Sequence, residues 1–118
     1  MGKSTFMIRQ RAFLKLYLIN LSESGRLYGL GFLEVLKEDF RPFGYKPTHS
    51  EIYKSLHELM NEGVLERRKK LKEGASLQEI AVYRIKDQGK ADLYKKQVKH
   101  DLDRCQGLIK KALKDNYS

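Results

Sequence analysis

The chain has 118 residues, room for one domain, and 24 Lys and Arg against 15 Asp and Glu give it a formal net charge of +9. Apolar residues make up 41%, enough for a core, and the charged fraction of 33% exceeds the roughly 25% of ordinary soluble domains, so the expected partner is a polyanion, nucleic acid first and an anionic membrane surface second. A single cysteine excludes an internal disulfide, and no run reaches the roughly 18 apolar residues of a membrane span; with no apolar signal core at the start, the expected location is the cytoplasm.

Helix-period spacing predicts a first helix over about Phe6–Leu21, with Phe6, Phe13, Leu14, Tyr17, Leu18 and Leu21 on its apolar face and Arg9, Arg11 and Lys15 on other faces. Ser22–Gly25 reads as a turn. A second helix, Leu27–Phe40, carries Leu30, Leu33, Leu36 and Phe40 on one stripe. Pro42, Gly44 and Pro47 then break the chain. Thr48-His49-Ser50-Glu51 has the form of a capping box, in which each side chain satisfies a backbone N–H of the first turn. It opens a third helix with Ile52, Leu56, Leu59 and Met60 inside and Gly63 as its stop. Strand patterns at Val64–Lys72 and Leu77–Ile85 flank Glu73-Gly74, which predicts a hairpin.

From Asp87 to Asn116 there is no proline and one glycine, and Ala91, Val98, Cys105 and Ala112 recur every seventh residue. Tyr94, Leu102, Leu108 and Ile109 widen that stripe. A helix of this length, about 43 Å, asks for a partner helix. The order helix, helix, helix, hairpin, long helix predicts an α+β winged helix-turn-helix over 1–86, with an N-terminal arm, followed by a dimerisation helix over 87–118. The first strand usual in such a fold could be a short pairing near Gly25–Leu27.

Three basic features suit DNA. His49, Ser50, Tyr53, Lys54 and His57 lie on the outward face of the third helix, where a recognition helix presents side chains to the major groove. Arg67, Arg68, Lys69, Lys70 and Lys72 crowd the first strand of the wing, and five cations in one hairpin repel unless phosphates neutralise them. Lys3, Arg9, Gln10 and Arg11 form a basic region near the start. Enzymatic signals are weak. His49 and His57 stand eight residues apart, about 12 Å along a helix, too far to share a metal unaided. Cys105 sits at a seam position, and no phosphate loop or nucleophile elbow appears. Neither catalysis nor a cofactor is expected.

Segments along nearly the whole chain resemble the replication terminator protein family of Bacillus-type bacteria: QRAFLKLY at Gln10–Tyr17, RLYGL at Arg26–Leu30, YKPTHSEIYKSLHEL at Tyr45–Leu59, EGAS-LQE at Glu73–Glu79, LYKKQ at Leu93–Gln97 and LDRC at Leu102–Cys105. The resemblance implies a homodimer joined by antiparallel long helices, two dimers cooperating on adjacent half-sites of terminator DNA, and polar arrest of the replicative helicase. It implies DNA contact by Arg9, Gln10, Arg11, His49, Ser50, Tyr53, Lys54 and Lys69, and a helicase-facing surface that includes Tyr28. Lys54 stands where the family can have Arg, and Glu66 where a wing residue is often basic. A PadR-type transcriptional repressor is the alternative, since it shares the fold and often the C-terminal helix.

Overall fold

The computed structural model describes residues 6–25, 29–72 and 78–117. The elements run α1 Gln10–Ser24, α2 Gly29–Phe40, a 3-10 turn at Arg41–Phe43, α3 His49–Asn61, β1 Leu65–Lys72, β2 Gln78–Ile85 and α4 Gln88–Tyr117. The first helix therefore begins four residues later than its periodicity predicts and continues through the expected turn. Arg9 is still extended, with φ −73° and ψ 146°. At the other end Ser22 is buried, and only Gly25, in the left-handed region at φ 68°, stops the helix, its N–H bonding Ser22 O at 3.1 Å. The strand pairing expected near Gly25–Leu27 falls partly outside the described residues; among those described, the sheet is the two-stranded hairpin.

α3 starts as its sequence predicts, with Thr48 Oγ1 accepting from the Glu51 amide at 3.1 Å. The other half of the capping box is not made: the Glu51 carboxylate turns to Arg11 of α1 instead. At the far end Gly63, at φ 77°, donates to Met60 O at 3.0 Å and Val64 donates to Leu59 O at 2.9 Å, a Schellman closure. The end is further tied by Lys90 Nζ donating to Glu62 O at 3.2 Å. The Thr48→Ala variant is expected to lose about 1 kcal/mol of stability in a urea titration at fixed protein concentration.

The core lies between α1, α2 and α3, with Leu14, Leu18, Phe32, Leu36, Ile52 and Leu56 all fully buried. One side is closed by aromatic rings, Tyr17 against Phe40 at 4.8 Å and Tyr45 against Phe40 at 5.4 Å. β1 and β2 pair antiparallel from Leu65↔Ile85 to Lys72↔Gln78. The hairpin root is anchored by Leu65 and by Tyr83, whose ring packs on Phe32 at 5.9 Å. The far end of the hairpin projects from the core, as a wing does.

Asp87 caps α4, its Oδ1 accepting from the Lys90 amide at 3.1 Å. Thirty residues make this helix about 45 Å long. A radius of gyration of 16.8 Å, against the ~13 Å expected of a compact chain of this length, shows that much of it projects. Its first half belongs to the fold of the chain itself: Ala91 is fully buried in the core, and Tyr94 donates from its hydroxyl to Ala12 O at 3.1 Å. Ala91 and Tyr94, which the repeat assigns to a seam for a partner helix, pack within the chain itself. Beyond the buried Cys105 the helix leaves the body, and Leu108, Ile109 and Leu113 are 40%, 49% and 56% exposed.

Candidate nucleic-acid interface

The amphipathic character of α3 decides what it shows to solvent. Ile52, Ser55, Leu56 and Leu59 are buried, and His49, Ser50, Tyr53, Lys54 and His57 are exposed on the other side. The His49 ring lies 4.4 Å from that of Tyr53. Ser50, Tyr53, Lys54 and His57 line an open depression of about 470 Å³ whose far wall is Arg11 and Glu58. An open surface depression that carries Lys54, His57 and Arg11 suits a groove of DNA better than a small molecule, which would need an enclosed pocket.

Underneath, charged groups bind α3 to α1. Arg11 donates to Glu51 at 3.3 and 3.4 Å and also to Glu58. Lys15 lies 3.0 Å from both Glu58 and Glu62. The outward orientation predicted for Lys15 is corrected: its ammonium is buried, with the Tyr94 ring 5.6 Å away. The burial is tolerable because two carboxylates neutralise it, and both remain partly hydrated. The hydrogen bond from Lys15, then that from Arg11, holds the Glu58 carboxyl below its usual range. A depressed carboxylate stabilises the fold above its unfolded value of about 4.3 and loses that contribution as pH falls through the folded value. The melting temperature is therefore expected to drop below about pH 4, and Glu58→Gln should flatten that part of the profile.

In the wing, alternation sorts the basic run onto two faces. Arg67 and Lys69 share the side of β1 that carries Leu65, and Arg68 and Lys70 share the side of Glu66, while Lys72 closes the strand. Arg67, Arg68, Lys69 and Lys70 are all exposed. Register places Arg67 opposite Tyr83. Burial pushes the Tyr83 hydroxyl up; Tyr53 of α3 adds to this and Arg67 opposes it. Glu66 accepts from Arg84 at 2.7 Å and from Arg68 at 3.4 Å, and these contacts, Arg84 foremost, hold its carboxyl low. A carboxylate amid the wing cations is thus accommodated by its cross-strand neighbour, which register reveals and the sequence alone does not.

Near the start, Arg9 is exposed at the N-cap of α1, and Gln10 donates from Nε2 to Tyr45 Oη at 2.9 Å. Gln10 and Arg11 lie on the helix, not on an arm. Tyr28 lies outside the described residues. On α4, Leu102 is half-buried, Val98 and Cys105 are buried, and Leu108, Ile109 and Ala112 are exposed. Leu113, off the seven-residue repeat, joins them; its spacing of four from Ile109 was the available signal. Among the described residues no group of His, Cys, Asp or Glu could hold a metal ion, and no helix is long and apolar enough to cross a membrane.

The fold recurs in known proteins. A solved chain of Bacillus subtilis PadR in complex with operator DNA superposes with a TM-score of 0.55 at 29% identity, covering 70% of this chain and 45% of that one. A protein of Thermoplasma acidophilum, solved as a candidate transcriptional regulator, gives a TM-score of 0.63 at 19% identity, covering 89% and 92%, and speaks for the winged-helix fold alone. Replication termination proteins of Bacillus subtilis and Bacillus spizizenii are 56% identical over 112 residues, 95% of this chain and 92% of theirs. The model of the replication terminator protein family matches residues 5–117. With that match across almost its entire length, the chain belongs to the replication terminator protein family.

Proposed function

We propose that this protein binds double-stranded terminator DNA as a homodimer, two dimers occupying adjacent half-sites cooperatively, and that the bound assembly arrests the replicative helicase from one direction. The observation that carries the DNA-binding part is the exposed face of α3 with His49, Ser50, Tyr53 and Lys54, together with the exposed cations Arg67, Arg68, Lys69 and Lys70 of the wing. In this reading His49, Ser50, Tyr53 and Lys54 meet base edges and phosphates in the major groove. Arg67, Arg68, Lys69, Lys70 and Lys72 neutralise phosphates along the flank, and Arg9, Gln10 and Arg11 contact the backbone beside α3. The exposed half of α4 joins two protomers and sets the distance between their recognition helices, which should match the roughly 34 Å between successive major grooves. Terminator action rests on membership of the family. DNA binding in the cytoplasm at the nucleoid, without a cofactor, follows from the same reading.

A helicase unwinding assay on a bound duplex placed in both orientations tests the proposal. Arrest in one orientation with passage in the other is the expected result. Equal passage in both, with tight binding retained, would overturn fork arrest and favour the PadR-type repressor, for which the shared fold is the supporting observation.

A further inference from the structure

The ion network between α1 and α3 has an organisation that stability alone does not require. Arg11 is held by two carboxylates, and each has another partner within reach. Glu58 keeps Lys15 at 3.0 Å from its Oε1 whether or not Arg11 remains on Oε2. Glu51 is the third residue of α3, where the positive end of the helix favours its charge. The Thr48 half of the capping box is already formed, and the half that Glu51 would supply is unmade because its carboxylate is on Arg11. The Arg11 side chain, 31% exposed, borders the same depression as Ser50, Tyr53 and Lys54.

We propose that Arg11 changes partners when a matched duplex binds: its guanidinium passes from Glu51 and Glu58 to a backbone phosphate, Glu58 stays with Lys15, and Glu51 completes the capping box on the Thr48 amide. This rests on the DNA-binding reading above and adds a source of selectivity to it. On unmatched DNA the guanidinium stays on its two carboxylates, withheld from the phosphates. Only a duplex that brings a phosphate to Arg11 in register replaces both bonds. Glu51 and Glu58 are then positioning residues that act through Arg11 and do not themselves touch DNA.

The test uses the full chain and two duplexes of equal length, one selected by the wild-type protein from a random pool and one of random sequence. Binding is titrated against salt for wild type, Glu58→Gln, Glu51→Gln, Arg11→Ala and the Arg11→Ala/Glu58→Gln pair, with melting temperatures recorded. Each Gln variant is expected to bind the random duplex roughly fivefold tighter while affinity for the selected duplex changes little, so selectivity falls. Arg11→Ala should lower the salt slope on the selected duplex by about one and abolish the gain from Glu58→Gln. The exchange is overturned if that gain persists without Arg11, if the slope is unchanged, or if both Gln variants lose affinity for both duplexes in step with their melting temperatures. Wild type that selects no duplex would overturn the DNA-binding reading itself, and the exchange with it.

Discussion

Phe32→Ala is expected to destabilise the protein by about 3–5 kcal/mol, read as a shift of the urea midpoint at constant protein concentration. Phe32 is fully buried, and its ring lies 5.9 Å from that of Tyr83, tilted by 43°. It therefore stands at the junction between the helical core and the wing. Removing the ring leaves a cavity that must collapse from two sides, and it also cancels an aromatic pair worth about 0.5–1.5 kcal/mol. Domains of this kind have about 5–15 kcal/mol in all, so the loss is a large fraction of the total. Phe32→Leu keeps most of the volume and should cost far less. A loss below about 1 kcal/mol for the alanine variant would mean that the hairpin root is held by Leu65 and Val64 without help from α2.

Phe32 also shows where the sequence stops being readable. Periodicity puts Leu30, Leu33, Leu36 and Phe40 of α2 on one stripe, a single face, as suits a helix lying on the surface of a core. α2 here is also touched by β2, and that contact depends on where the hairpin folds back. Lys15 is a similar case. A lysine in a helical pattern reads as outward, and nothing local signals that Glu58 and Glu62, more than forty residues on, will neutralise it inside. The α3 face was legible because one strongly amphipathic helix has one way to sit, and Thr48 was legible because a cap is a local bond. Glu51 was not, because a long-range cation outcompetes the local amide. The wing cations could be sorted by alternation, but the pairing of Glu66 with Arg84 needs the register.

The seven-residue repeat in α4 was visible as well, though not its division of labour. A repeat looks the same whether it faces the protomer's own core or a second chain, and α4 does the first as far as Cys105 and projects beyond it.

That division decides the second large effect. Ile109→Asp is expected to separate the proposed dimer into single chains and to weaken binding to a two-half-site duplex by about a hundredfold or more. Ile109 is 49% exposed in the protomer, so a carboxylate there remains hydrated in the isolated chain and should not harm its fold. Across a two-fold seam the same substitution enters twice and sets two unpaired charges in an apolar contact, at a cost of several kcal/mol. The thermal stability of the protomer core, where Ala91 and Tyr94 hold the first half of α4, should survive the change once dimer dissociation is allowed for. DNA affinity falls because one recognition helix no longer brings the other to its groove, so the second contact loses its effective concentration. Sedimentation equilibrium gives the mass, and fluorescence anisotropy on duplexes with one and two half-sites gives the affinities. Loss should appear already on the one-half-site duplex, which takes a single dimer. If Ile109→Asp stays dimeric with unchanged affinity, the partner seats elsewhere, and the groove lined by Leu16, Tyr17, Lys95 and Leu102 between α1 and α4 becomes the surface to alter next.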